Sequence, residues 1–298
     1  MKKIARFHLP GLFEFYDFYK VFLPLYFAHR EYFYSECEIA SVYGSPNDCL
    51  WGGGRIERSE ANAREVLNLM QEYGLSARLT FSNSLLQPQH LSDGKCNRLC
   101  ELFSQTSVPS GVIVHSELLT NYLRERYPKL YLVSSTTKVL TDYNAFLQEL
   151  QREEFRYVVP DFRLNKTFEK LNALPDALKG KVEFLVNECC DVSCRERKKC
   201  YEAVSRKSLG LSDSEHICTS PYAQEGYRFS RAMESPMFLS IREILNTCLP
   251  MGFTEFKIEG RSLGSALILE FLLYYLTKPE SRLRVREEIY LSNTLDLF

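Results

Sequence analysis

Ten cysteines occur in this 298-residue chain, and five of them fall between Cys189 and Cys218. The run reads Asn187-Glu188-Cys189-Cys190-Asp191-Val192-Ser193-Cys194, continues to Cys200, and ends in Ile217-Cys218-Thr219-Ser220-Pro221-Tyr222. Thiolates are soft ligands, and three or four of them together suit zinc or an iron–sulfur cluster. Cys190 and Cys194 lie one helical turn apart, so a helix or tight turn from Val192 onward would aim both at one ion. The plain alternative is cysteine packing as a small apolar residue. That reading suits Cys37, Cys49, Cys96, Cys100 and Cys248, which stand singly or at helical spacing.

The surrounding composition narrows the setting. Lys plus Arg number 37 against 38 Asp plus Glu, a formal net charge of -1, so the chain lacks the excess of cations that nucleic acid or an anionic membrane calls for. Hydrophobic residues at 45% and charged residues at 25% are ordinary for a globular protein and exclude disorder, collagen and coiled coil. Disulfide frameworks belong to short secreted chains, whereas this one is long enough to bury a core. Met1 to His8 is basic with no uninterrupted apolar stretch, unlike a signal segment, and the apolar run from Leu263 to Thr277 is short and contains Glu270. The expectation is a cytoplasmic protein with reduced thiols, no membrane span, and a buried helix at 263–277.

The elements that must position these thiols follow a repeating pattern: a short β-branched and aromatic run, a polar break, then helical spacing. Strands are expected at Ile4–His8, Ile39–Tyr43, Ala77–Phe81, Val112–His115, Leu130–Ser134, Arg156–Val159, Val182–Val186 and Glu255–Ile258. Helical patterns cover Phe13–Phe33, Ser59–Tyr73, Lys95–Gln105, Glu117–Arg126, Asp142–Glu153, Thr167–Leu178, Pro236–Cys248 and Ser265–Thr277. Ser59 and Ser235 are the expected helix caps, and Gly74 and Gly252 the expected helix stops. Eight strand–helix units predict an α/β fold, a (β/α)8 TIM-like barrel over residues 1–298, with a cysteine-rich insertion at 187–222 between strands seven and eight. An open doubly wound sheet is the competing fold, but neither His8-Leu9-Pro10-Gly11 nor Gly52-Gly53-Gly54 has the context of a nucleotide-binding turn.

Barrel enzymes build their sites where strands end. Those ends read His8, Tyr43 with Ser45, Ser82 with Asn83, His115 with Ser116, Ser134 to Thr137, Asp161 with Arg163, Asn187 with Glu188, and Glu259 with Arg261. The pattern predicts a polar cavity above an apolar barrel interior, although loop residues are commonly polar anyway. Glu259 and Arg261 face one side of one strand and suit either an ion pair or a substrate clamp. Trp51 is the lone tryptophan, a lid or a loop-packing residue. The ten Phe and Tyr residues of Phe13–Phe33 suit cover for a barrel end or a partner. No nucleophile motif stands out.

Two stretches carry a resemblance. Ser235-Pro236 leading through a helix to Gly252-Phe253 and then Phe256-Lys257-Ile258-Glu259-Gly260-Arg261 resembles the closing signature of the U-32, or collagenase-like, peptidase family. Asn187-Glu188 running into cysteines, and Cys218 before Pro221-Tyr222, resemble that family's cysteine-bearing segments; the likeness is specific over about residues 180–265. Here Asn187-Glu188 stands where the family has His-Gly, and no cysteine follows Ser235-Pro236 in the next helix. The resemblance implies a TIM-type barrel holding an iron–sulfur cluster of 4Fe-4S type, and oxygen-independent hydroxylation or related redox chemistry. Its ligands would be Cys190, Cys194 and Cys218, with Cys189 or Cys200 as the fourth, and Glu188, Glu259, Arg261 and His115 would serve the substrate. The alternatives are a metal-dependent peptidase or other hydrolase, and a non-catalytic barrel stabilised by zinc that binds a partner segment. The neutral charge favours a small molecule or peptide over an RNA base, with the basic run Arg195, Arg197, Lys198, Lys199, Arg206 and Lys207 read as a solvated helix face. Homo- or hetero-oligomers are compatible with all three.

Overall fold

The computed structural model describes residues 3–53, 61–188, 190–211, 216–218, 228–260 and 263–292. Its eight strands are β1 (Ala5–Pro10), β2 (Cys37–Gly44), β3 (Ser76–Phe81), β4 (Gly111–Val114), β5 (Tyr131–Ser134), β6 (Phe155–Val158), β7 (Glu183–Leu185) and β8 (Glu255–Lys257). They form one parallel sheet in the order β6-β5-β4-β3-β2-β1-β8-β7, and a parallel bridge between Val158 and Val182 brings its two edges together. The result is the nearly closed, TIM-like barrel that eight strand–helix units require.

Helices cover the outside: α1 (Tyr16–Ala28), α2 (Ala63–Glu72), α3 (Gly94–Phe103), α4 (Glu117–Arg126), α5 (Tyr143–Gln151), α6 (Phe168–Asn172), α7 (Asp176–Lys179), α8 (Arg197–Ser208) and α9 (Phe229–Glu234). Next come α10 (Ile241–Glu243), which runs through a π-helical turn (Ile244–Cys248) into α11 (Leu249–Met251), then α12 (Ser265–Tyr275) and α13 (Arg282–Leu291). Strand residues such as Phe7, Leu9, Ala77 and Leu79 face this layer and make the main apolar core with it. The aromatic run at 13–33 supplies Phe18, Tyr19, Phe22 and Tyr26 to that core from α1. Ile268, Leu269, Phe271 and Leu272 bury α12, while its Glu270 pairs with Arg286 of α13 at 2.7 Å. No helix among the described residues is long and apolar enough to cross a membrane.

Several local expectations change. The pattern at 167–178 breaks into α6 and α7 around Leu174-Pro175, since a residue before proline is pushed out of the helical region. Ser235 closes α9 instead of opening the next helix; Ser240 opens it, exchanging hydrogen bonds with Glu243 in a capping box. α2 is capped by Asn62, and Ser59 lies outside the described residues. Gly252 adopts a φ of 106°, the left-handed stop its position calls for. Trp51 packs in the core: it is fully buried, and its indole N–H donates to the His90 carbonyl at 2.7 Å.

The barrel interior differs most from expectation. Its upper belt is apolar and aromatic, built from Tyr43, Ile113, Val133, Tyr157, Val159 and Leu185. Below it, toward the N-terminal ends of the strands, lies a buried ionic network. Arg78 donates from Nη1 to Glu183 Oε2 at 2.5 Å and from Nε to the Tyr131 hydroxyl at 2.8 Å. Lys257 lies 3.4 Å from the other Glu183 oxygen and 3.7 Å from the centre of the Tyr43 ring. His8 bridges Ser41 at 2.8 Å and Glu255 at 2.9 Å. β1 extends beyond His8 to Pro10, so His8 sits inside the barrel and not at a strand end. Burial and the charge of Arg78 hold its imidazole below the ordinary value.

Candidate functional site at the barrel mouth

The strands' C-terminal ends form a polar ring, and α8 lies across it. The connection after β7 first turns at Cys190, whose backbone N–H donates to Glu188 Oε1 at 2.9 Å, and then enters α8. At the start of α8 the buried Arg197 donates from Nη2 to Glu188 Oε2 at 2.5 Å and lies 3.5 Å from Asp161. At its far end, the Ser205 carbonyl accepts from Asn83 Nδ2 at 3.1 Å, and its hydroxyl accepts from the Ser84 backbone N–H at 3.1 Å. α8 therefore spans the mouth from the β7 side to the β3 side. The basic run is only partly a solvated face: Lys198, Lys199 and Lys207 are exposed, whereas Arg197 is buried.

Two halves of the mouth have different chemistry. Under β6–β8, Asp161 takes two contacts from Arg163, at 2.5 and 3.0 Å, and Arg163 Nη1 donates to the Cys194 carbonyl at 2.8 Å. The Glu188 carboxyl hydrogen-bonds that of Glu259. Burial alone would raise Glu188, but Arg197, the bond to Glu259 and the Cys190 N–H outweigh it and hold the carboxyl at about 2. The Glu259 backbone is fixed by Asn187, whose side chain accepts from its N–H at 2.7 Å and donates to its carbonyl at 3.0 Å.

Under β3–β5 the mouth is uncharged at its base. His115 follows β4, and its Nδ1 lies 2.8 Å from Thr137 Oγ1, which itself donates to Ser135 Oγ at 3.0 Å. Burial, followed by the charges of Lys138 and Lys198, pushes this imidazole down to about 4. Lys138 is engaged by Glu149 at 2.6 Å and Glu117 at 3.1 Å.

Of the residues expected to act on a substrate, Glu188 and Glu259 thus meet, while His115 stands in the other half of the mouth. Arg261 lies outside the described residues, as does Cys189. Burial pushes the Cys190 thiol up to about 12, and the neighbouring Cys194 and Glu188 add to that. Cys200 is half-buried on α8 and Cys218 is exposed. Among the described residues, no three His, Cys, Asp or Glu side chains converge as a metal site requires. Charged residues at inward positions of central strands, namely Arg78, Glu183, Glu255 and Lys257, were the available signal for the buried network that the sequence pattern did not yield. Arg197 had no such signal, because its burial depends on α8 folding back over the barrel.

Fold and site together define a parallel barrel with a polar, helix-covered mouth. No protein-family profile matches the sequence, and no curated protein matches it. Among solved structures, one described as the U32 peptidase Mk0906 superposes with a TM-score of 0.54 over 87% of this chain and 94% of its own, at 16% sequence identity. At that identity the likeness is one of fold.

Proposed function

We propose that this chain is a U32-peptidase-like barrel enzyme that hydrolyses an amide bond at the mouth, using Glu188 and Glu259 as an acid–base pair. The observation that carries this reading is the hydrogen bond between the two carboxyls with Arg197 against one of them. Two carboxyls in contact cannot both ionise readily, so the pair shares a proton, and Arg197 assigns the negative charge to Glu188. Glu188 then takes a proton from water as the water oxygen adds to the carbonyl carbon, while Glu259 gives its proton to the carbonyl oxygen. On collapse the C–N bond breaks, Glu188 passes its proton to the departing amine, and Glu259 recovers its own from the hydroxyl.

A library of internally quenched peptides provides the test. Cleavage by the wild type should fall at least about 100-fold in Glu188→Gln and in Glu259→Gln and persist in a chelator, in keeping with loss of general acid–base catalysis. No cleavage, or cleavage that both variants retain, would overturn the reading. A second reading, the iron–sulfur barrel with Cys190, Cys194, Cys218 and Cys189 or Cys200 as ligands, is supported by the proximity of Cys190 and Cys194 beside the same carboxyl pair. Iron and sulfide analysis after anaerobic purification decides it, and zinc in their place would point to the structural-metal alternative.

A further inference from the structure

One group of nucleophilic side chains lies outside both the carboxyl pair and the cysteine-rich connection. Cys49, in the loop after β2, and Cys96, in the first turn of α3, are both buried, and their sulfurs are 3.7 Å apart. Their chain neighbours meet as well: Lys95 forms an ion pair with Asp48 at the surface. Residues 48–49 are thus seated on residues 95–96 by two adjacent contacts, one exposed and one dry. Cys100, one turn further along α3, interacts with the charge of Cys49 and is the third thiol of the cluster.

A disulfide needs its sulfurs about 2.05 Å apart, so closing the Cys49–Cys96 contact takes a movement of roughly 1.6 Å, shared between loop and helix. What keeps the pair reduced is access. The hydrogen bond with Cys49 and then burial hold the Cys96 thiol well above its ordinary value, and a buried, protonated thiol is a poor nucleophile. The Asp48–Lys95 pair tethers the loop at the surface, and exposed ion pairs are weak and screened by salt. The loop can therefore open there at little cost and admit a small oxidant.

Movement of this loop reaches α8 through Asn83. The Asn83 backbone N–H donates to the Trp51 carbonyl at 3.1 Å, and its side chain donates to the carbonyls of Leu50 at 3.2 Å and Ser205 at 3.1 Å. A Cβ on Gly53 would come within 2.5 Å of the Ser82 and Asn83 backbone, so the loop lies directly on the segment that holds the far end of α8.

We propose that Cys49 and Cys96 are a redox pair that a hydroperoxide oxidises to a disulfide, and that the disulfide disturbs the seat of α8 over the barrel mouth. As the loop opens, one thiol loses its proton and its sulfur attacks the peroxide. The O–O bond breaks, a sulfenic acid forms, and the alcohol departs, or water when the oxidant is hydrogen peroxide. The second thiol loses its proton and attacks the sulfenic sulfur, forming the S–S bond and releasing water. Two thiols are oxidised and one peroxide is reduced, and a dithiol reverses the change by exchange. The modification goes beyond the hydrolase reading and does not depend on it.

The experiment treats the native full chain with hydrogen peroxide, alkylates the remaining thiols after denaturation, and maps linked peptides by mass spectrometry. Cys49 and Cys96 should disappear together into one intramolecular disulfide, while Cys37 and Cys248, which are equally buried, remain alkylated. Asp48→Asn should speed the loss about two- to fivefold, the worth of a surface ion pair. Hydrogen exchange in α8 should rise in the oxidised protein and return when a dithiol is added, and Cys49→Ser should show no such peroxide-dependent rise. The proposal is overturned if Cys49 and Cys96 survive the treatment, if the link runs to Cys100 or to a second chain, or if sulfinic acid accumulates without a disulfide. It is equally overturned if Cys37 and Cys248 react at the same rate, as global unfolding would have it, if Asp48→Asn leaves the rate unchanged, or if α8 exchanges alike in both forms.

Discussion

Replacing Arg78 by methionine removes the guanidinium from the centre of the barrel while keeping most of its apolar stem. Among the described residues, Glu183 would lose its shortest contact, 2.5 Å, and keep Lys257 at 3.4 Å and His8 at 3.5 Å. Burial raises the Glu183 carboxyl, yet Arg78, His8 and Lys257 hold it at about 2 against its ordinary 4.5. That difference corresponds to about 3 kcal/mol at neutral pH. Removing one partner of a buried pair costs about 3–5 kcal/mol in general, so the two routes agree on roughly 3–4. The sign depends on pH. In the wild type the folded value lies below the unfolded one, so this stability is present above about 4.5 and is lost as pH falls toward 2. Without Arg78, burial dominates, the carboxyl stays protonated in the folded state, and the variant loses stability as pH rises through 4.5. Urea denaturation followed by circular dichroism at pH 4 and pH 7 should therefore show a deficit that is clearly larger at pH 7. Adding Glu183→Gln to Arg78→Met should recover part of it. An equal deficit at both pH values, or one below about 1 kcal/mol, would refute the account of a desolvated charge network.

Further outcomes follow from the same geometry. His115 is pushed down to about 4 by burial first and by Lys138 and Lys198 next, so the unfolded chain takes up its proton first; stability should fall as pH drops from about 6.5 to 4, and His115→Gln should flatten that slope in denaturation curves. Ser205→Ala removes the hydroxyl that accepts from Ser84 and should raise hydrogen exchange in α8 while leaving exchange in the barrel strands unchanged. Ser240→Ala breaks the capping box with Glu243 and should cost about 1 kcal/mol, read as a lower urea midpoint at unchanged slope.

Much of the architecture is legible in the chain. Eight short β-branched runs separated by helical spacing require crossovers, and crossovers require parallel strands; all eight strands occur close to where the runs place them. Glu188 and Glu259 could be singled out because each ends or follows a strand that must reach the barrel mouth. What the chain did not reveal are contacts between residues far apart in sequence. Arg78 and Glu183 lie in strand runs whose interior was expected to be apolar, and their pairing appears only when closure of the sheet puts β3 and β7 on opposite walls of one interior. The cysteine-rich connection drew notice for its thiols, but the fold uses it to carry Arg197 and Ser205 across the mouth. His115 was visible as a strand-end histidine; its hydrogen bond with Thr137 was not. Periodicity along one strand is a local property, set by the pleat and by burial of one face. Which charge meets which, and which polar atom is left without a partner, depends on closing the barrel, and only the tertiary structure decides it.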